Sequence, residues 1–117
     1  MTDHSAAVAA AAAHIHDLAE ATSDPRSAYA GHAEIASVTA GLLGLAQHLE
    51  AALEHLARHI ERHDGDWDTA EKGRRLPAQD GRAAGRRIRT AAAEAGNTAR
   101  ALGGSVEALG RLRPPAP

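Results

Sequence analysis

Apolar side chains recur at alternating intervals of three and four residues along two long stretches, and no other feature restricts the fold as much. The first stretch is Ile35, Val38, Leu42, Leu45, Leu49, Ala52 and Leu56, widened by Leu53 and Ile60. The second is Gly85, Ile88, Ala92, Ala95, Ala99, Leu102, Val106 and Leu109. This spacing collects side chains on one narrow face of an α-helix, the seam of a coiled coil or helical hairpin. A helix with such a face must bury it against another helix, in its own chain or in a partner.

Breaks in the sequence place the helices. A first helix is expected over residues 5–21, with Ser5 as N-cap and Val8, Ala11, Ile15, Leu18 and Thr22 on one face. Thr22-Ser23-Asp24-Pro25 ends it, because proline disfavours helical geometry in the residue before it. A short connection follows, with Tyr29 expected to lie against the bundle. The second helix is expected over 31–63, on the order of 50 Å long. Gly41 and Gly44 lie one turn apart in it and are expected to admit a close neighbour. A polar loop from Asp64 to Leu76 leads to Pro77, which suits the first turn of a third helix over 77–110. Residues 114–117 form a Pro-rich tail. The predicted architecture is all-α: a single domain over 1–113, a three-helix bundle built on a long antiparallel hairpin. The alanine-rich seam of the third helix predicts a short interhelical distance.

Composition sharpens this picture. The chain has 117 residues, no Phe, and only Tyr29 and Trp67 as aromatics. Burial must come from aliphatic side chains and much alanine, which covers little area and contributes mainly through helix propensity. Such a core is marginal for a monomer, so a homo-oligomer or a helical protein partner is expected. Cysteine is absent, which excludes disulfides and thiolate metal sites. No apolar run approaches the roughly 20 residues of a membrane span, and the start lacks the basic residues of a secretory signal. A cytoplasmic location without membrane contact is the default expectation.

Charge is polarised along the chain beneath a formal net charge of -2. The acids concentrate before Lys72, whereas Lys72, Arg74, Arg75, Arg82, Arg86, Arg87, Arg89, Arg100, Arg111 and Arg113 follow it. Arg82, Arg86 and Arg89 share one helical face, and with Arg87 they are the candidate nucleic-acid contacts, since such a stripe can meet phosphates. The competing reading pairs these arginines with acids. In an antiparallel hairpin the start of the third helix lies beside the end of the second, where Glu54 and Glu61 sit.

Other chemical signals are weaker. His55, His59 and His63 are spaced by four on one side of the second helix, with His48 two turns before His55. Neutral imidazoles at this spacing are candidate metal ligands, and near the seam they would make packing sensitive to pH. Rim histidines without a metal are the simpler reading. Asp64, Asp66 and Asp68 imitate the opening of a calcium loop, but Thr69 and Arg75 replace its glycine and glutamate. No arrangement of nucleophile, base or paired acids points to catalysis, and no cofactor is expected.

Two resemblances follow from particular residues. Tyr29-Ala30-Gly31-His32-Ala33-Glu34-Ile35 with Val38-Thr39 and the leucine seam resembles uncharacterised small Ala-rich helical proteins of actinobacteria, which implies a helical fold. The length and hairpin layout are similar to WXG100-type helical hairpins, which implies dimerisation. That family's turn carries Trp-x-Gly, whereas Trp67 is followed by Asp68 and Thr69. The expected role is a non-catalytic protein-interaction or self-assembly module. Its interface is assigned to Ile35, Val38, Leu42, Leu45, Leu49, Leu56, Ile88, Leu102, Val106 and Leu109.

Overall fold

The computed structural model describes residues 3–62 and 78–112, with side-chain burial defined for 3–62 and 81–112. Three α-helices make up the fold: α1 (Ser5–Ala21), α2 (His32–Arg62) and α3 (Ala78–Arg111), and no strand occurs among the described residues. The protein is all-α; the boundaries at Ser5, Ala21, His32 and Arg111 fall within one residue of the expected positions, and the expected ends at residues 63 and 77 lie outside the described residues. The chain divides into two compact units, residues 1–35 and 36–117, with α2 starting in the first and running through the second.

In the first unit, short side chains set where α1 starts and stops. His4, not Ser5, occupies the N-cap position, and its side chain makes no capping bond. Asp3 reaches over instead: its Oδ1 accepts from the Ser5 amide at 3.0 Å and from the Ser5 hydroxyl at 2.7 Å. A carboxylate near a helix N-terminus satisfies otherwise unpaired amides and complements the dipole there. These bonds, the hydroxyl first, hold the Asp3 carboxyl below its usual value. At the other end the Thr22 hydroxyl and amide both donate to the Leu18 carbonyl, at 2.8 and 3.0 Å. Asp24 then organises the turn around Pro25 by accepting from the Arg26 amide at 3.0 Å and the Ser27 hydroxyl at 3.3 Å. Tyr29, expected to lie against the bundle, is exposed. No residue of α1 is buried.

The second unit is an antiparallel hairpin. Glu61 near the end of α2 meets Gly85 and Arg89 near the start of α3, and Glu50 meets Gly96 further along. All five buried hydrophobic residues among those described are alanines: Ala46 and Ala57 from α2, with Ala92, Ala95 and Ala99 from α3. Gly81, Gly85 and Gly96 are also buried. A Cβ added at Gly85 would stand 3.2 Å from Glu61 Cγ, and one at Gly96 would stand 3.0 Å from Glu50 Cδ. The two helices therefore approach closely through small residues, as the alanine content of the third helix predicts. Gly41 and Gly44 take no part, since no atom lies within 4 Å of a Cβ built at either.

The seam of α3 is the expected one. Gly85, Ala92, Ala95 and Ala99 are buried, and Ile88, Leu102, Val106 and Leu109 are half-buried. On α2 the packed stripe is displaced by one residue from the expected one. Its members are Ala36, Thr39, Leu43, Ala46, Glu50, Leu53 and Ala57, all buried or half-buried. Ile35, Leu45, Leu49 and Leu56, expected in the dry seam, are instead exposed, the last three at 41%, 47% and 47%. Ala52 is exposed as well. A one-residue displacement turns the packed face by roughly 100° around the helix axis. Close approach by an alanine- and glycine-lined α3 favours alanine at the two points of nearest contact, Ala46 and Ala57, while Leu43 and Leu53 pack half-buried between and beside them.

Candidate functional site

The displaced seam gives the hairpin two unlike sides. On one side Leu42, Leu45, Ala46 and Leu49 of α2 and Ala95, Thr98 and Leu102 of α3 line an apolar groove of about 300 Å³. Heptad-spaced leucines form its α2 wall, and half-buried Leu102 forms part of the α3 wall. Leu56 continues the same helix face two turns beyond Leu49. Of the expected interface residues, Leu42, Leu45, Leu49 and Leu102 are brought together here, while Val38, Ile88, Val106 and Leu109 are half-buried elsewhere along the two helices. Exposed leucines in a heptad row are a feature of helix faces that receive another helix.

The other side is polar. Glu50, Glu54, Arg89, Asn97 and Arg100 surround a groove of about 310 Å³. Arg89 grips Glu61 with both prongs of its guanidinium, Nε to Oε1 at 2.5 Å and Nη2 to Oε2 at 2.8 Å. This two-pronged geometry is the strong form of an arginine–carboxylate contact, although both groups remain solvent-exposed. The hydrogen bond from Arg89 holds the Glu61 carboxyl below its usual value, outweighing the opposing effect of desolvation. In return, Glu61 raises the Arg89 guanidinium further, first through the hydrogen bond and then through its charge. Glu54 adds a smaller attraction to Arg89 and lies 3.9 Å from Arg58 on its own helix. Asn97 accepts from Arg100 one turn on.

The arginine stripe thus divides. Arg89 is engaged by Glu61, as the acid-pairing reading anticipated, while Arg86 and Arg87 are exposed. Arg82 is exposed along its length and makes an interaction of its own. Lys72, Arg74, Arg75 and Arg113 lie outside the described residues. So do His63, the Asp64–Asp68 segment with Trp67, and Pro77. His48, His55 and His59 are exposed, and His55 and His59 line an open polar groove with Arg58, Glu61 and Arg62. Among the described residues no three His, Asp or Glu side chains converge in a way that would hold a metal ion. No helix among them is long and apolar enough to cross a membrane.

The leucines stand out in the sequence, but Leu45, Leu49 and Leu56 are not the residues that pack α2 on α3. The alanines that pack α2 on α3 were passed over, because a periodicity count gives most weight to the largest side chains. One signal was available: Ala46, Leu53, Ala57 and Ile60 follow the same spacing one residue along. The chain matches no protein-family model, no curated protein and no solved structure.

Proposed function

We propose that this protein is a non-catalytic helical module that associates with itself or with another helical protein through the leucine face of α2. One observation carries the reading. Among the described residues the buried positions of the hairpin are all alanine or glycine, while Leu45, Leu49 and Leu56 stay exposed beside an apolar groove. These leucines show a little under half of their surface to water, so covering the remainder on association would contribute roughly 1 kcal/mol apiece, and a row of them on both partners is needed to hold a complex. The Arg89–Glu61 pair favours protein binding over contact with nucleic-acid phosphates, because it neutralises one of the four arginines that such contact would use.

The test is solution mass by multi-angle light scattering across a concentration series, for the wild type and for Leu49→Asp. Leu49 is 47% exposed, so an aspartate there remains solvated in the lone chain and leaves its helices in place. In a buried complex the same carboxylate has no counter-ion and disrupts binding. The expected result is an associating wild type and a helical, monomeric variant. A wild type that neither self-associates nor captures a helical partner, or a variant that binds as the wild type does, overturns the reading.

A further inference from the structure

The leucine face of α2 has an internal register that specifies how a second helix would lie on it. Along this 31-residue helix the seam positions alternate between Ile35, Leu42, Leu49 and Leu56, and Val38, Leu45, Ala52 and His59. One flank of this row is already covered, because Ala46, Leu53, Ala57 and Ile60 are buried or half-buried in the hairpin. The opposite flank carries Glu34, Gly41, His48, His55 and Arg62, one every seven residues, and all five are exposed. Its two ends bear opposite charges.

These facts constrain an approaching second copy. Let another α2 run antiparallel so that Leu49 meets Leu45 of the second copy. Every position of the first set then meets one of the second: Leu42 against Ala52, Leu56 against Val38, and Ile35 against His59 at each end. The same register brings Glu34 opposite Arg62 at both ends and sets His48 beside its own counterpart. In a parallel pair this exposed row of one copy would instead face the flank of the other that the hairpin already covers, so Glu34 and Arg62 would find no opposite charge across the contact.

Resting on the functional reading above, we propose that the partner of this face is a second copy of the chain. It docks antiparallel along α2, with a two-fold axis beside His48 and reciprocal Glu34–Arg62 pairs closing the ends. Charge complementarity in this one register, together with a self-complementary apolar row, selects this occupant over an unrelated helix.

Charge exchange tests the register in the full chain. Sedimentation equilibrium is compared for wild type, Arg62→Glu, Glu34→Arg and the double variant, with circular dichroism confirming equal helicity. Each single change converts two attractions into two repulsions and should weaken the dimer about tenfold. The double variant restores both pairs and should return to within about threefold of the wild type. A second readout exploits the absence of cysteine. Spin labels on His48→Cys should lie close together across the axis, whereas labels on His55→Cys should be offset along the axis by about 21 Å. A dimer lost on Leu49→Asp but showing equally short distances at both sites, or no rescue in the double variant, overturns the antiparallel register while leaving self-association intact. A wild type that is monomeric at every concentration overturns the two-fold dimer and returns the face to a different protein or to the chain itself.

Discussion

Ala57 is completely buried where α2 meets α3, and its methyl sets how near the two helices can come. Enlarging it to leucine should destabilise the protein by about 1–3 kcal/mol, read as a lower urea midpoint at unchanged slope. If Ala57→Leu is neutral, the close approach at that level is wrong. Glu61 gives a prediction in pH. Its folded value is depressed by the hydrogen bond from Arg89, so its contribution is complete above the ordinary carboxylate range and is lost as pH falls through the depressed value. Glu61→Gln should therefore lower the melting temperature at pH 7 and leave it unchanged near pH 2. Equal differences at both pH values would contradict the pair. That an arginine of the third helix would find Glu54 or Glu61 followed from the antiparallel layout alone. Which arginine it is depends on side-chain reach across the seam, and periodicity does not encode that. The helix start shows a similar boundary: Ser5 is expected as the N-cap, but His4 holds that position and the acceptor is the Asp3 carboxylate, two residues before Ser5.

At the scale of elements, all three helices and the break after α1 were legible, because proline and a sustained 3-4 row act locally. The partnered face of α2 was not. Leucine at 42, 45, 49 and 56 outweighs alanine at 46 and 57 in any hydrophobic reading, yet a neighbour lined by Ala92, Ala95, Gly96 and Ala99 selects the small residues. The same geometry separates the glycines into two kinds. Gly85 and Gly96 face Glu61 and Glu50 at contact distance, whereas Gly44 and Gly104 have nothing within 4 Å of an added Cβ. Alanine at Gly44 or Gly104 should therefore stabilise its helix by roughly 0.5–1 kcal/mol through helix propensity, measured by chemical denaturation of the dilute protein. Destabilisation at either position would show that its face is covered. Gly96→Ala should gain less, because the Glu50 carboxylate has to swing aside first.

For the molecule as a whole, the two sides of the hairpin have different roles. The polar side joins α2 and α3 through Arg89 and Glu61, and the apolar side carries the leucines we propose for association. An alanine-rich, Phe-free composition is what raises the expectation of association, and the leucines proposed to serve it stand out in the periodic row. Which helix they meet was hidden, because a periodic row gives the width of a buried face without naming its neighbour. The nucleic-acid alternative makes a separate prediction at this scale. Gel-shift affinity at moderate salt should be weak and unaffected by reversing Arg86 and Arg87 to Glu, and a loss of affinity exceeding tenfold would revive it.

The most direct measurement is methyl NMR of leucine-labelled protein with a soluble paramagnetic agent, at low and high protein concentration. In the dilute protein the methyls of Leu45, Leu49 and Leu56 should broaden strongly while those of Leu53 stay protected, and at high concentration the first group should become protected too. Protection of Leu45, Leu49 and Leu56 at the lowest concentration would contradict the outward leucine face, and exposure at every concentration would contradict its role in association.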